Sequence, residues 1–273
     1  MRRPEVTLEN CAAVYDFYER YDANPRRARI AHKLIGTAYR PKVSFLDNQT
    51  AHLVHDAVSS ADVTILACKH VNMNDPLHLV ALVGIIDTFD GFAGRTVIPS
   101  KRSLFSMKIR HWIDDLGAIP TFRRKDFLNS SGVLDELSHE ELSNATERLI
   151  NTCVAQMSRG KHLAIFPESE RSARLEGADP SRVNSLKEGI AKIYLKACES
   201  VSIAIVPLGL CYDQTSSLRA NFTPSMVVGA PLTGVYTDTT QLMEDLAVAM
   251  QAAQTAAFER ANLSYSVPLC DSK

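Results

Sequence analysis

Two short runs, Val63-Thr64-Ile65-Leu66-Ala67 and Ile203-Ala204-Ile205-Val206, are apolar almost without a break. A strand with one face in water alternates apolar and polar residues, so runs of this kind suit central strands covered on both faces. Taken with their flanks they predict strands over Val63–Ala67 and Ser202–Pro207. Five more segments share the strand character: Lys42–Leu46, Thr96–Pro99, Ile119–Phe122, His162–Phe166 and Met226–Gly229. Between them lie segments of helical period, predicted as helices over 6–21, 26–39, 76–86, 103–116, 139–158, 186–199 and 238–262. In the last, Leu242, Leu246, Ala249, Met250 and Ala253 share one face. The alternation predicts an α/β fold: a mixed sheet of about seven strands flanked by helices, with an N-terminal helical hairpin. The expected division is a hairpin at residues 1–40 and a main domain at 41–273, joined at Tyr39-Arg40-Pro41.

Composition narrows the function classes. A formal net charge of -1 gives no global electrostatic case for nucleic-acid binding, so none is expected as a partner. Cys11, Cys68, Cys153, Cys198, Cys211 and Cys270 are scattered, several within apolar runs, and none has CxxC spacing. They read as buried thiols in a reducing compartment rather than as a disulfide frame or zinc site. Met1-Arg2-Arg3-Pro4-Glu5 leads into Glu9, Asp16 and Glu19 without an apolar core, which predicts no secretory signal. No apolar run reaches the roughly 18 residues of a membrane-spanning helix. The expectation is a cytoplasmic protein, soluble or peripheral on the inner face of a membrane.

Chemistry concentrates in two segments that follow predicted strands. The first is Cys68-Lys69-His70-Val71-Asn72-Met73-Asn74-Asp75-Pro76. Five residues on a continuous helix rotate by roughly 140°, which would separate His70 from Asp75. Pro76 favours a helix that begins there, with Asp75 as its N-cap and His70 in the preceding turn. From that turn the imidazole can fold back towards the carboxylate. A carboxylate bound to one ring nitrogen fixes the tautomer and frees the other nitrogen to accept a proton from a hydroxyl. The same residues also fit a plain helix cap beside a polar loop histidine. The second segment, Phe166-Pro167-Glu168-Ser169-Glu170-Arg171-Ser172, opens a long aperiodic stretch, Glu168–Asn184, of the kind that is often functional.

His-x-x-x-x-Asp after one strand and Phe-Pro-Glu-x-x-Arg-Ser after a later one resembles the glycerol-phosphate and lysophosphatidic acid acyltransferase family. Gly117-Ala118-Ile119-Pro120-Thr121-Phe122-Arg123 is similar to that family's Gly-x-x-x-x-x-Arg block, and Ile205-Val206-Pro207-Leu208 to its closing Val-Pro block. Ser185-Leu186-Lys187-Glu188-Gly189 resembles the Lys-x-Gly stretch that follows Phe-Pro-Glu. The four main blocks stand in the family's order across residues 40 to 235. Two positions depart from the pattern: Lys69 stands where the family has Asn, and Ser169-Glu170 where it has a small pair.

The resemblance implies roles. His70 is the base that deprotonates the acceptor hydroxyl, and Asp75 orients it. Arg123 and Arg171 hold an acceptor phosphate, with Arg124 in reserve, since guanidinium forks match phosphate oxygens. Glu168 orders its loop or binds a glycerol hydroxyl, and Lys69 lies beside the acceptor. Pro207 shapes a strand end. The donor is acyl-CoA or acyl-carrier protein, used as a co-substrate; no cofactor or metal is expected. The acceptor is a lysophospholipid, 1-acylglycerol 3-phosphate first, with glycerol 3-phosphate or another alcohol or amine as alternatives. His78, His111 and His162 match no zinc spacing. A non-catalytic lipid-binding module is the reading from another class. A nucleotide site is disfavoured, because Gly84 and Gly91-x-x-Gly94 lack a P-loop lysine and the GxGxxG pattern.

One more segment bears on partners. Arg26-Arg27-Ala28-Arg29-Ile30-Ala31-His32-Lys33-Leu34-Ile35 sets cations beside an apolar stripe of Ile30, Leu34, Ile35 and Ala38, following Asn24-Pro25. A basic amphipathic helix suits an anionic bilayer surface; a helix packed on the domain with a solvated charged face fits equally.

Overall fold

The computed structural model describes residues 2–127, 136–168, 170–172, 179–212 and 223–263. Seven strands form one sheet: β1 (Lys42–Phe45), β2 (Val63–Cys68), β3 (Thr96–Lys101), β4 (Ala118–Thr121), β5 (His162–Ile165), β6 (Ile203–Cys211) and β7 (Ser225–Val228). Their order is β1-β7-β6-β2-β5-β3-β4. The β6–β7 pair is antiparallel and every other neighbouring pair is parallel. The sheet is therefore mixed, as expected, and the two unbroken apolar runs are its central strands. All residues of β2 and β6 are buried. Along β2, Ile65 and Ala67 enter one apolar cluster while Leu66 and Cys68 enter the other. Both faces of the strand need hydrocarbon, which is why no alternation shows in its sequence.

Helices α1 (Cys11–Arg20), α6 (Glu136–Ser158), α7 (Gly189–Ala197) and α8 (Thr239–Leu263) cover the Ile65 face. Helices α3 (Asn48–Ser60) and α4 (Asp75–Leu82) cover the Leu66 face, and α2 (Pro25–Ala38) packs outside α4. Gly209 lets α8 lie close on β6, since a Cβ there would stand 2.2 Å from the Ala253 carbonyl oxygen.

Apart from shifted helix ends and an unexpected 3-10 helix at Asp87–Phe92, three differences from the sequence expectation shape the fold. Helix α3 was not expected; Asp47 starts it by accepting from the Thr50 N–H at 2.6 Å, and Val54 and Ala57 face inwards. The helix expected over 103–116 is two pieces, a 3-10 turn (Arg102–Ser106) and α5 (Arg110–Asp115). Phe105 and Arg110 both meet Tyr18, by an edge-to-face ring contact and a 3.4 Å hydrogen bond. Five residues apart on one continuous helix they would diverge by roughly 140°, so the break brings both to the same ring. Finally, β6 does not end at Pro207 but runs on to Cys211. The Pro207 carbonyl accepts from Gly229, and beyond it β6 gains β7 as a partner from Leu208 onward. Pro207 therefore stands at the change of neighbour, where a missing N–H is tolerated.

The N-terminal helices are held by charge as well as by packing. Asp114 and Asp115, both buried at the end of α5, receive Arg3, Tyr18, Tyr21, Arg27 and the Asn24 N–H. Val14, Tyr15, Phe17 and Tyr18 of α1 belong to the same apolar cluster as the sheet.

His162 opens β5 with its ring stacked on Phe92 at 3.6 Å, and its Nδ1 accepts from the Thr64 N–H at 3.1 Å. Burial, then the charge of Arg95, pushes the imidazole down to about 4 from an ordinary 6.5. The unfolded chain therefore takes this proton first as pH falls. Stability from His162 is complete above pH 6.5 and is lost between 6.5 and about 4, amounting to about 3 kcal/mol. Urea midpoints measured across that window should fall more steeply for wild type than for His162→Gln; parallel curves would overturn the assignment.

Candidate active site

The carboxyl ends of parallel strands are where α/β sheets place their ligands, and both chemistry-bearing segments leave from there. β2 and β5 are neighbours in the sheet, so the loop that follows Cys68 and the loop that follows Ile165 emerge side by side. This adjacency brings together residues nearly a hundred positions apart in sequence.

His70 and Asp75 meet. The His70 Nδ1 lies 2.7 Å from Asp75 Oδ2, an oxygen that also accepts from the N–H groups of Val71 (2.6 Å) and Asn72 (2.9 Å). Asp75 Oδ1 accepts from the Tyr212 hydroxyl at 2.7 Å. The carboxylate is fully buried, and four donors replace the water it has lost. With Asp75 ionised, Nδ1 carries the proton and Nε2 is the lone-pair nitrogen. Nε2 has no hydrogen-bond partner among the described residues, and the side chain is 17% exposed. Such an imidazole can take a proton from a bound hydroxyl.

The expected cap geometry is corrected by one residue. Asn74 precedes α4, Asp75 is its first helical residue and Pro76 follows. Asp75 therefore does not cap the helix. Its side chain turns back to the donors of its own loop, whose N–H groups have no helical carbonyl to reach.

The second segment grips the first at four points. Phe166 stacks on the His70 ring at 4.3 Å. Glu168 Oε2 accepts from the His70 N–H at 2.9 Å, and Oε1 accepts from the Lys69 ammonium at 2.7 Å and from the Asn184 N–H. The His70 carbonyl in turn accepts from the Ser172 N–H at 2.9 Å. Lys69 and Glu168 have no exposed side-chain surface, so their charges neutralise each other inside the protein. The Ser185–Gly189 stretch adds a tie, since the Lys187 N–H donates to the Pro167 carbonyl at 2.8 Å.

The arginines are placed differently. Arg123 directs Nε and Nη2 at Asp126, at 3.0 and 2.7 Å, and Arg124 beside it is exposed. Lys125 pairs with Glu170 at 2.6 Å, which ties the loop after β4 to the loop after β5. Arg171 is half-buried between Glu170 and Ser172. Arg123 and Lys125 are thus bonded to carboxylates. Ser169, one of the departures from the family pattern, lies outside the described residues, as does Cys270.

His78, His111 and His162 do not converge. His78 packs between Tyr39 and Tyr212, His111 lies beside Trp112, and His162 is stacked on Phe92.

A sequence model described as Acyltransferase matches residues 52–211, more than half of the chain. The chain belongs to the acyltransferase family. The matched span runs from α3 through the end of β6, so it contains both loops and the whole His70–Asp75–Glu168 cluster. No curated protein matches the chain. Two contributors to this candidate site were not singled out in the sequence. Phe166 stood within a recognised block but without a role, and Tyr212 stood outside every block.

The buried pair gives a stability test. Removing one partner of such a pair leaves the other charge unmatched, at a cost of roughly 3–5 kcal/mol. Lys69→Met should lower the unfolding free energy by this order in urea. A loss below about 1 kcal/mol, the range of exposed pairs, would show that Glu168 does not depend on Lys69.

Proposed function

We propose that this acyltransferase moves a fatty acyl group from an acyl thioester to a hydroxyl of a glycerophosphate lipid, 1-acylglycerol 3-phosphate giving phosphatidate. One observation carries the reading: His70 Nδ1 bonded to buried Asp75, with Nε2 left for an incoming hydroxyl. In the step, the acceptor O–H gives its proton to His70 Nε2 as its oxygen bonds to the thioester carbon. The tetrahedral oxyanion collapses, the C–S bond breaks, and the thiolate takes the proton back from the imidazolium. The buried carboxylate stabilises the transient cation. The step as written uses no metal and no acyl-enzyme. Acyl-CoA or acyl-carrier protein is the donor.

Of the two roles open to Glu168, ordering the loop is the one its surroundings support. Three donors already occupy its carboxylate, and no face of it reaches solvent. Lys69 is turned inwards in the same way and supports the loop rather than the acceptor. Arg123, Arg171 and, in reserve, Arg124 remain the candidates for an acceptor phosphate. Asp126 on the Arg123 fork favours a second reading, in which the acceptor is an alcohol or amine without phosphate. Glycerol 3-phosphate stands between the two.

On this reading the protein works peripherally at the cytoplasmic face of a membrane. Among the described residues no helix is long and apolar enough to cross a bilayer. In α2, Ala28 and Ala31 face inwards, whereas Ile30 and Leu34 are exposed beside Arg26, Arg29 and Lys33. That outward face combines hydrocarbon with positive charge, which suits anionic headgroups.

Thiol release from a long-chain acyl-CoA, with and without lysophosphatidate, tests the chemistry. Acceptor-dependent release should fall more than about a hundredfold in His70→Ala. Release supported only by glycerol 3-phosphate, or only by a neutral alcohol, would keep the base and change the acceptor. Equal release by mutant and wild type would remove His70 from catalysis, whereas lipid binding without thiol release from any acyl donor would leave a lipid-binding module. For the membrane, the Ile30→Asp/Leu34→Asp double variant should bind anionic vesicles at least about tenfold more weakly in a flotation assay. Unchanged flotation would return α2 to a solvated face.

A further inference from the structure

Three of the four hydrogen bonds to Asp75 come from its own loop, and all three reach Oδ2. The fourth comes from elsewhere. Tyr212, the residue after β6, donates its hydroxyl to Oδ1 at 2.7 Å from 137 positions away in sequence. Without that hydroxyl, one oxygen of a fully buried carboxylate would have no donor among the described residues, a costly arrangement that rotation of the carboxylate would relieve. Rotation would take Oδ2 away from His70.

Tyr212 is well placed to prevent this. Its strand lies against β2, and the last four residues of β6 pair with β7. The Gln254 side chain holds both the N–H and the carbonyl of Leu210, two residues before it. Gly209 lets α8 close over the same strand end. The Tyr212 ring packs against His78 at 5.7 Å, a contact that needs no hydroxyl. Burial, then the charge of Asp75, raises the phenol well above its ordinary range, so the group stays a donor.

We infer that Tyr212 is a positioning residue for acyl transfer, its hydroxyl pinning Oδ1 of Asp75 so that Oδ2 stays on His70. The inference rests on the reading of His70 as the base. It assigns the strand-end tyrosine a function that is exerted through the His–Asp pair and needs no contact with substrate.

The test uses the full chain with Tyr212→Phe, which keeps the ring and removes only the donor. One readout needs no substrate: the downfield Nδ1–H proton resonance of the His70–Asp75 bond, assigned by its loss in His70→Ala. In Tyr212→Phe this proton should exchange with water at least about fivefold faster, because the carboxylate that protects it has lost an anchor. In the thiol-release assay kcat should fall about tenfold, with KM for the acyl donor within about twofold of wild type. Unchanged exchange overturns the inference, even if kcat falls together with the melting temperature, since that pattern marks Tyr212 as structural. An unchanged kcat overturns it too. Absence of the resonance in wild type removes the hydrogen bond from which the inference starts. Full activity in His70→Ala defeats the base reading and the catalytic role of Tyr212 with it, while the exchange rates still report separately whether the hydroxyl orders the pair.

Discussion

The buried carboxylate of Glu168 is the constraint on which the rest of the site depends. It takes hydrogen bonds from the Lys69 ammonium, the His70 N–H and the Asn184 N–H. Two of these donors come from the loop after β2, and the third from the far end of the long segment that Glu168 opens after β5. A carboxylate removed from water is tolerated only when its lone pairs are occupied and its charge is matched. Satisfying Glu168 therefore requires the loop after β2 and the Asn184 end of its own segment to be in place at once. The backbone of His70 is fixed as a consequence, and with it the starting point of the imidazole.

Orientation of the ring follows from a second carboxylate, built by different means. Asp75 draws three donors from one tight turn and a fourth from the end of β6. Phe166 closes the face of the ring. The histidine is thus held at its main chain by Glu168, at Nδ1 by Asp75 and over its plane by Phe166. On the proposed reading, Nε2 is the atom left for chemistry. Fixing a base before the substrate arrives reduces the reorganisation needed in the transition state, which is how a single imidazole can be effective.

The departures from the family pattern take on a physical meaning in this frame. Lys69 supplies a full positive charge to Glu168, a partner that an uncharged asparagine could not match. Glu170 is bound to Lys125, so it links the loop carrying Arg123 to the loop carrying Arg171. The α1–α2 pair is tied to the domain through Asp114 and Asp115, leaving the charged outer face of α2 free of those anchors.

The fold was largely legible in the chain because its signals are local. Unbroken apolar runs identified β2 and β6 as central, helical period identified most of the helices, and the Pro76 signal placed the start of α4 to within one residue. Where a distant partner decides the conformation, the signal is absent. The helix expected over 103–116 is broken between two residues that both meet Tyr18, and β6 runs past Pro207 alongside β7. The site divides in the same way. His70 and Asp75 lie five residues apart, so their meeting could be argued from turn geometry, and motif order singled out Glu168. What only the tertiary structure decided is the set of partners: Lys69 turned inwards to Glu168, Phe166 on the His70 ring, Tyr212 on Asp75. Each of these depends on which strands are neighbours in the sheet, and strand order is fixed by the burial of the whole core rather than by any run of adjacent residues.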